Sequence, residues 1–278
     1  MNTPTTVVVG YDGSPDSLAA ITWAARTASL RGASLVVTTI VDPRDTPRGV
    51  AWPESYWKDL EAKAREPLAS WPDVPVTFER HGGHLVPRLV DAARESAMVV
   101  LGSHGHTRVG EILRGSVSQS TARHTEIPVV VVRPALSPDA GRIVVGADST
   151  DASTHAIAFA CRTAQLTGEK VMLLHAWHPI TLSPDRYGYT PPVSYDTLSE
   201  AESALTRIVD ATRDEFPDVD IQSEIFNGPA EVGLVDASNA ASLVVVGTRG
   251  LGAVGQALMG SVSEHVLHKA HCPVAVVH

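Results

Sequence analysis

The sequence has few of the features that mark secreted and membrane-spanning proteins. It holds two cysteines in 278 residues, Cys161 and Cys272, so a disulfide framework is not expected and two reduced, mostly buried thiols are. No apolar run approaches the roughly twenty residues needed to cross a bilayer. The first residues lack the basic and apolar regions of a secretory signal. We therefore expect a cytoplasmic protein that inserts into no membrane.

Positive charge is scarce and unevenly spread. The chain has 22 Lys and Arg against 31 Asp and Glu, a net charge of −9. Residues 1–137 hold 14 of each sign, which leaves 8 basic and 17 acidic residues and the whole net charge of −9 for residues 138–278. Because nucleic-acid binding depends on clustered Lys and Arg, an acidic chain without a basic stripe predicts no nucleic-acid partner.

Signatures of phosphoryl and acyl transfer are also missing. The sequence contains no G-x4-G-K-[ST] loop and no G-x-S-x-G nucleophile elbow. Rapid phosphoryl transfer needs a positioned nucleophile and a cluster of charge around the phosphate. The sequence assigns neither, so it favours binding over fast catalysis.

An internal repeat is the main feature that the sequence does contain. Residues 8–12 (VVGYD) match residues 144–148 (VVGAD) at an offset of 136, and later matches have an offset of 145. A period near 140 residues indicates duplicated domains, because solenoid repeats are far shorter. We predict two domains: copy one is residues 1–135 and copy two is residues 141–278. About nine extra residues in copy two fall between its second and third strands.

Strand-like and helix-like segments alternate in each copy. The strands of copy one are predicted near residues 6–11, 34–41, 74–79, 98–101 and 127–132, and its helices near residues 15–30, 54–69, 86–95 and 116–124. The strands are runs of Val and Ile without polar alternation, as expected when both faces of a sheet are covered. The pattern predicts a Rossmann-like α/β fold in which each copy is a doubly wound parallel five-stranded sheet with helices on both faces.

A phased glycine pattern follows the fourth predicted strand of each copy. The pattern G-x2-G-x9-G-[ST] is formed by Gly102, Gly105, Gly115 and Ser116 in copy one and by Gly247, Gly250, Gly260 and Ser261 in copy two. Glycines allow a backbone to turn sharply and approach a ligand closely. A helix that begins at Gly-Ser directs unpaired N–H groups toward an anion such as phosphate. We predict a phosphate site in each copy; simple turns are the alternative.

An aspartate ends the first predicted strand of each copy, at Asp12 and Asp148. In doubly wound sheets, ligands bind beyond the carboxyl ends of the strands where the winding reverses. If strands one and four are neighbours, Asp12 and Gly102 flank one crevice. Asp12 could instead cap the helix that follows. Its recurrence as Asp148 fits either role, because a duplication copies caps as well.

Taken together, these motifs resemble the universal stress protein family in its tandem form. The resemblance covers nearly the whole chain and rests on the aspartate after strand one and on the glycine pattern, which marks the ATP-binding branch of that family. It implies an adenine-nucleotide-α-hydrolase-like fold and a nucleotide-binding protein of the stress response. The implied ligands are ATP and Mg²⁺, the metal being held through the phosphates. It also implies that the last strands, residues 128–132 and 273–277, pair the two copies.

The resemblance also assigns a role to each matching position. Asp12 and Asp148 would contact ribose or adenine, and backbone groups near Ile40 and Ala176 would meet the adenine edge. The implied phosphate-binding residues are Gly102, Gly105, Gly115, Ser116, Val117 and Ser118 in copy one and Gly247, Gly250, Gly260, Ser261, Val262 and Ser263 in copy two.

The residues leave three functions open. The favoured one is an ATP-dependent regulatory protein with an unknown protein partner. The first alternative is a slow ATP hydrolase or nucleotidyl-transferring enzyme of the same superfamily, and the second is a ligand-free interaction module that has kept its glycines. Copy one is expected to bind ATP more tightly, because copy two must hold a polyanion in a domain of net charge −9. Whether two chains form a homodimer stays open.

Overall fold

The computed structural model describes residues 6–42, 52–103, 116–133, 140–177, 198–248 and 259–278. Its strands are β1 (Thr6–Gly10), β2 (Ser34–Val41), β3 (Val76–Gly82), β4 (Met98–Gly102), β5 (Val129–Val132), β6 (Arg142–Gly146), β7 (Lys170–Trp177), β8 (Ile221–Asn227), β9 (Leu243–Gly247) and β10 (Val274–Val277). Its helices are α1 (Pro15–Arg31), α2 (Glu54–Leu68), α3 (Leu85–Ala93), α4 (Ser116–His124), α5 (Asp151–Thr167), α6 (Leu198–Glu215), α7 (Ala230–Ser238) and α8 (Ser261–Lys269). None of the described helices is both long and apolar enough to span a bilayer.

Within each copy the strands are parallel and doubly wound, as predicted. Copy one has the strand order β3-β2-β1-β4-β5, and copy two has the matching order β8-β7-β6-β9-β10. Val8 pairs with Val36 of β2 on one side and with Val99 of β4 on the other. Strands one and four are therefore neighbours, and the winding reverses between them.

The two sheets join into one sheet of ten strands. Strand β5 pairs with β10 in the antiparallel direction, with Val130 opposite Ala275 and Val131 opposite Val274. Val130 and Ala275 hold the same position in the repeat, so a pseudo-two-fold axis passes through this pair. An unpaired apolar edge strand would expose its backbone polar groups. Each copy thus covers the other's edge, in agreement with the pairing that the family resemblance implies.

Two apolar clusters lie on opposite faces of this sheet, and each contains residues of both copies. Val7 and Val9 point to the face that also holds Ile21 and Ile157, whereas Val8 points to the face of Leu89. This alternation follows from the two-residue period of a strand. Because both clusters cross the junction, the copies share one layered α/β/α core.

One strand of copy one is longer than the sequence predicted. The sequence pattern predicts a third strand near residues 74–79, whereas β3 begins at Val76 and continues to Gly82. Its backbone pairs with β2 as far as Val41 opposite Gly82. Strand β3 is the outer strand of the sheet, where polar side chains can face water while the backbone stays paired.

Both cysteines are buried free thiols, as expected. Burial raises the pKa of the Cys161 thiol to about 12 and that of the Cys272 thiol to about 12. Since the thiolate is the reactive form, only about one thiol in ten thousand is reactive at pH 8.

We expect native protein to release no chromophore from Ellman's reagent over an hour, and protein in guanidinium to react at both cysteines. Fast labelling of the native chain would contradict this burial.

Candidate functional site

The carboxyl ends of β1 and β4 bring the first two parts of the sequence motif together. Asp12 follows β1, and Gly102 ends the neighbouring strand β4. Copy two repeats the arrangement with Asp148 after β6 and Gly247 at the end of β9. In each copy the aspartate and the first motif glycine therefore flank the crevice where the winding reverses, which is where doubly wound sheets bind ligands.

The aspartate after strand one shapes a turn and does not cap the helix. Oδ1 of Asp12 accepts a hydrogen bond from the backbone N–H of Ser14 at 2.9 Å. The cap of α1 is Ser14, whose hydroxyl oxygen accepts from the N–H of Ser17 at 3.2 Å. In copy two, Asp148 accepts from the N–H of Thr150 at 2.9 Å and Thr150 caps α5. The alternative that Asp12 is the cap is therefore wrong, and both carboxylates stay half-exposed at the crevice.

The first glycine of each motif is required by helix packing. A Cβ atom at Gly102 would lie 2.7 Å from the carbonyl carbon of Asp16, and one at Gly247 would lie 2.8 Å from that of Ala152. The first turn of α1 thus rests directly on the end of β4, and that of α5 on the end of β9. Helix packing alone therefore explains why glycine is needed at both positions. Because these residues have no side chain, the N-termini of α1 and α5 can lie close to the crevice.

The start of α8 lies at the end of β9 without a side-chain cap. Gly260 is its cap residue and has no side chain to accept from the first turn. The N–H of Gly260 donates to the carbonyl of Thr248 at 2.7 Å, which fixes the helix start beside β9. The hydroxyl of Ser263 donates back to Gly260 at 2.9 Å. The first N–H groups of such a helix, those of Ser261, Val262 and Ser263, suit an anion.

In copy one the corresponding site is described only in part. The hydroxyl of Ser118 donates to the carbonyl of Gly102 at 3.3 Å, which ties the first turn of α4 to the end of β4. Val117 is half-buried on α4, which begins at Ser116. The predicted phosphate residues Gly105, Gly115 and Gly250 lie outside the described residues.

The predicted adenine side of the site lies at the ends of β2 and β7. Ile40 and Ala176 are half-buried there, and they pair with His81 and Phe226 of the outer strands. The sequence analysis missed Asp42, a carboxylate only 5% exposed at the end of β2. Its repeat position in copy two is His178, outside the described residues, so the repeat did not draw attention to it.

A second missed carboxylate makes the two copies different. Oδ2 of Asp16 in the first turn of α1 accepts a hydrogen bond from the Ser103 hydroxyl at 2.7 Å. In copy two the same positions hold Ala152 and Thr248, so this bond has no counterpart there. Comparing the copies position by position would have revealed the change, although the contact itself joins residues 87 positions apart.

The described residues at the crevice include hydrogen-bonding groups but no cluster that could hold a metal ion. Within the ranges that the structure covers, no three His, Cys, Asp or Glu side chains are grouped so as to hold a metal ion. The Tyr11 hydroxyl donates to the carbonyl of Leu60 at 3.1 Å, and burial, followed by the charge of Asp12, raises its pKa to about 12. Tyr11 therefore stays protonated and acts as a structural residue.

Comparison with known proteins places the chain in a family. The model of the universal stress protein family matches it twice, over residues 4–133 and 140–278. Universal stress protein Rv1996 of Mycobacterium tuberculosis is 33% identical over 298 residues, which cover 97% of this chain and 94% of that protein. Universal stress protein Rv2005c of the same organism is 32% identical over 287 residues, with 97% and 96% covered. The chain belongs to the universal stress protein family and contains two copies of its domain.

Solved structures agree with the fold. A universal stress protein from Archaeoglobus fulgidus covers 99% of both chains with a TM-score of 0.68 at 18% identity. A universal stress protein solved in complex with cAMP covers 48% of this chain at 26% identity with a TM-score of 0.38, and the nucleotide is a finding about that protein. The full-length match shows that the α/β fold in tandem form is shared with the Archaeoglobus fulgidus protein.

The tight packing at the first motif glycine can be tested by adding one methyl group. Gly102→Ala should lower the free energy of unfolding by about 1–3 kcal/mol, because the new Cβ meets backbone atoms that cannot move away cheaply. Gly82→Ala is the matched control: it has no atom within 4 Å of its Cβ and should change stability by less than about 0.5 kcal/mol. Urea unfolding measures both. Equal effects of the two variants would show that the packing does not constrain Gly102.

Proposed function

We propose that each copy binds one ATP in the crevice between the carboxyl ends of its first and fourth strands, and that the protein is a nucleotide-dependent regulator. The proposal rests on one observation that occurs twice: an aspartate and a glycine flank the crevice where the winding of a parallel sheet reverses. In copy two, the uncapped start of α8 stands beside the same strand end.

The polar and apolar groups at the crevice suit a nucleoside triphosphate. The carboxylates of Asp12 and Asp148 can accept from ribose hydroxyls, and the half-buried strand ends at Ile40 and Ala176 provide an apolar edge for a base. Phosphate oxygens would be held in copy one by Gly102, Gly105, Gly115, Ser116, Val117 and Ser118, and in copy two by Gly247, Gly250, Gly260, Ser261, Val262 and Ser263. Mg²⁺ would be held through the phosphates of the bound ATP.

Binding fits the described crevice better than fast turnover does. The Asp12 carboxylate holds the N–H of Ser14, and the Asp16 carboxylate holds the hydroxyl of Ser103. Both carboxylates are therefore engaged in hydrogen bonds that hold the turn and the start of α1, whereas rapid phosphoryl transfer needs a positioned nucleophile or base. The output that we infer is a change of shape or of protein partner on nucleotide binding. The two reduced, buried thiols fit the cytoplasm as its location.

A carboxylate placed at the start of α8 should compete with the phosphates of ATP in copy two. Gly260 has φ −67° and ψ 155°, a conformation in which Asp is a favourable helix cap, so Gly260→Asp should fold normally. Isothermal titration with ATP and Mg²⁺ should show two sites in the unmodified chain. In Gly260→Asp the copy-two site should weaken at least about tenfold, the loss expected for one charge-assisted hydrogen bond. Gly260→Ala is the neutral control and should weaken it less.

The same titration compares the two copies. Gly115→Asp should remove the copy-one site and leave the weaker site of copy two, because copy two carries the net charge of −9. Wild-type affinity and two sites in both Asp variants would contradict the location of the phosphates. A wild-type chain that binds no ATP at millimolar concentration would contradict the function itself.

A further inference from the structure

A cavity of about 590 Å³ lies at the junction of the two copies, on the face of the sheet that carries α4 and α8. Copy one lines it with Ser103, Ser118 and Arg133, and α8 of copy two lines it with His265, His268 and Lys269. We call it the junction cavity. Its rim also includes Ser261, so it follows α8 over about 12 Å, the length of eight helical steps.

Arg133 fixes the wall of the junction cavity. It follows β5 of copy one and reaches the last turn of α8, where Nη1 donates to the carbonyl of Ala270 at 2.7 Å and Nη2 to the carbonyl of Leu267. Burial lowers the pKa of its guanidinium below the ordinary value. The buried Nε–H of Arg133 donates to no atom of the described residues.

The charges around the junction cavity leave a positive surplus. Its acidic lining residue, Glu264, accepts hydrogen bonds from Arg123 at 2.9 Å and from the side-chain amide of Gln119, so its charge is matched across the junction. Asp16 lies close enough to Arg133 to act on its charge. Lys269 remains on the rim with His265 and His268 beside it, in a half of the chain whose net charge is −9.

The basic side chains of the junction cavity are repeated only in part across the pseudo-two-fold axis. The repeat positions of His265, His268 and Lys269 in α4 are Ser120, Arg123 and His124. Arg123 is engaged with Glu264, and the repeat position of Arg133 is His278. Lys269 and Arg133 therefore have histidines at their repeat positions, so the two copies differ in their basic side chains at the junction.

We propose that the junction cavity binds a chain of phosphate groups, with Arg133 and Lys269 as charge partners. Guanidinium, ammonium and hydroxyl groups along an elongated rim are the chemistry that recognises a polyphosphate. Copy two would then supply basic side chains beside Ser103 and Ser118, in a motif region of copy one that contains no lysine. The phosphates are either the tail of ATP in the crevice of copy one, in which case the proposal rests on the function proposed above, or a separate polyphosphate, in which case it does not.

The test uses tripolyphosphate, which lacks the base and the ribose, and the full chain. Lys269→Gln should weaken tripolyphosphate binding about threefold to tenfold, and His268→Gln with Lys269→Gln by about tenfold or more, since charge-assisted hydrogen bonds are lost. Lys170→Gln is the matched control, because it removes the same charge from an exposed lysine of copy two that pairs with Asp220 at 3.3 Å. It should stay within about twofold of wild type. All these side chains are exposed, so folding is preserved.

Titration of the same variants with ATP and Mg²⁺ identifies the source of the phosphates. Parallel weakening of ATP binding assigns them to the tail of ATP, and unchanged ATP binding assigns them to a separate polyphosphate. The proposal is overturned if wild type does not bind tripolyphosphate, or if Lys269→Gln and the double variant bind it as Lys170→Gln does. A chain that binds tripolyphosphate through Lys269 but binds no ATP would support the junction site and contradict the proposed function.

Discussion

The antiparallel pairing of β5 with β10 is the constraint on which the rest of the structure depends. Both strands are fully buried and apolar, so neither could remain an open edge. Their register places Val130 opposite its own repeat partner, Ala275, and so fixes the pseudo-two-fold axis. This axis brings the apolar layers of the two copies together on both faces of the sheet. It also places α4 within hydrogen-bonding distance of Glu264 of α8, and Arg133 within hydrogen-bonding distance of the end of α8. The junction cavity exists because these contacts hold two helices of different charge around one axis.

Much of the fold could be predicted from the sequence, because its signals are local or repeated. Runs of Val such as β5 define buried strands, and the offset between the copies reveals the duplication. Contacts between distant residues could not be predicted. Gly102 was expected at a phosphate, but its immediate neighbour is the backbone of Asp16. Arg133 belongs to a proline-containing linker in sequence and to the wall of a cavity in space. The most informative local signal was the set of positions where the two copies carry different residues, which a search for matching residues overlooks.

Duplication gives this universal stress protein two crevices that are alike in backbone and unlike in charge. The turn made by the aspartate, the cap at Ser14 or Thr150 and the glycine under the helix are the same in both copies. The Asp16–Ser103 bond lies within copy one. The basic side chains of α8 are part of copy two, but they line the junction cavity beside residues of copy one. Helix α8 has its first turn at one candidate site and its last turn at the border of the other. Under the proposed function, two nucleotides bound with different strengths would be connected through this helix.

The most direct measurement of the central claim is a crystal structure of the full chain grown with millimolar ATP and Mg²⁺. The account predicts a triphosphate in each crevice, with phosphate oxygens at the start of α8 in copy two and beside the end of β4 in copy one. Ribose density should lie within hydrogen-bonding distance of Asp12 and Asp148. Two crevices that stay empty, or that are filled by side chains of the protein itself, would contradict the account and leave only the architecture.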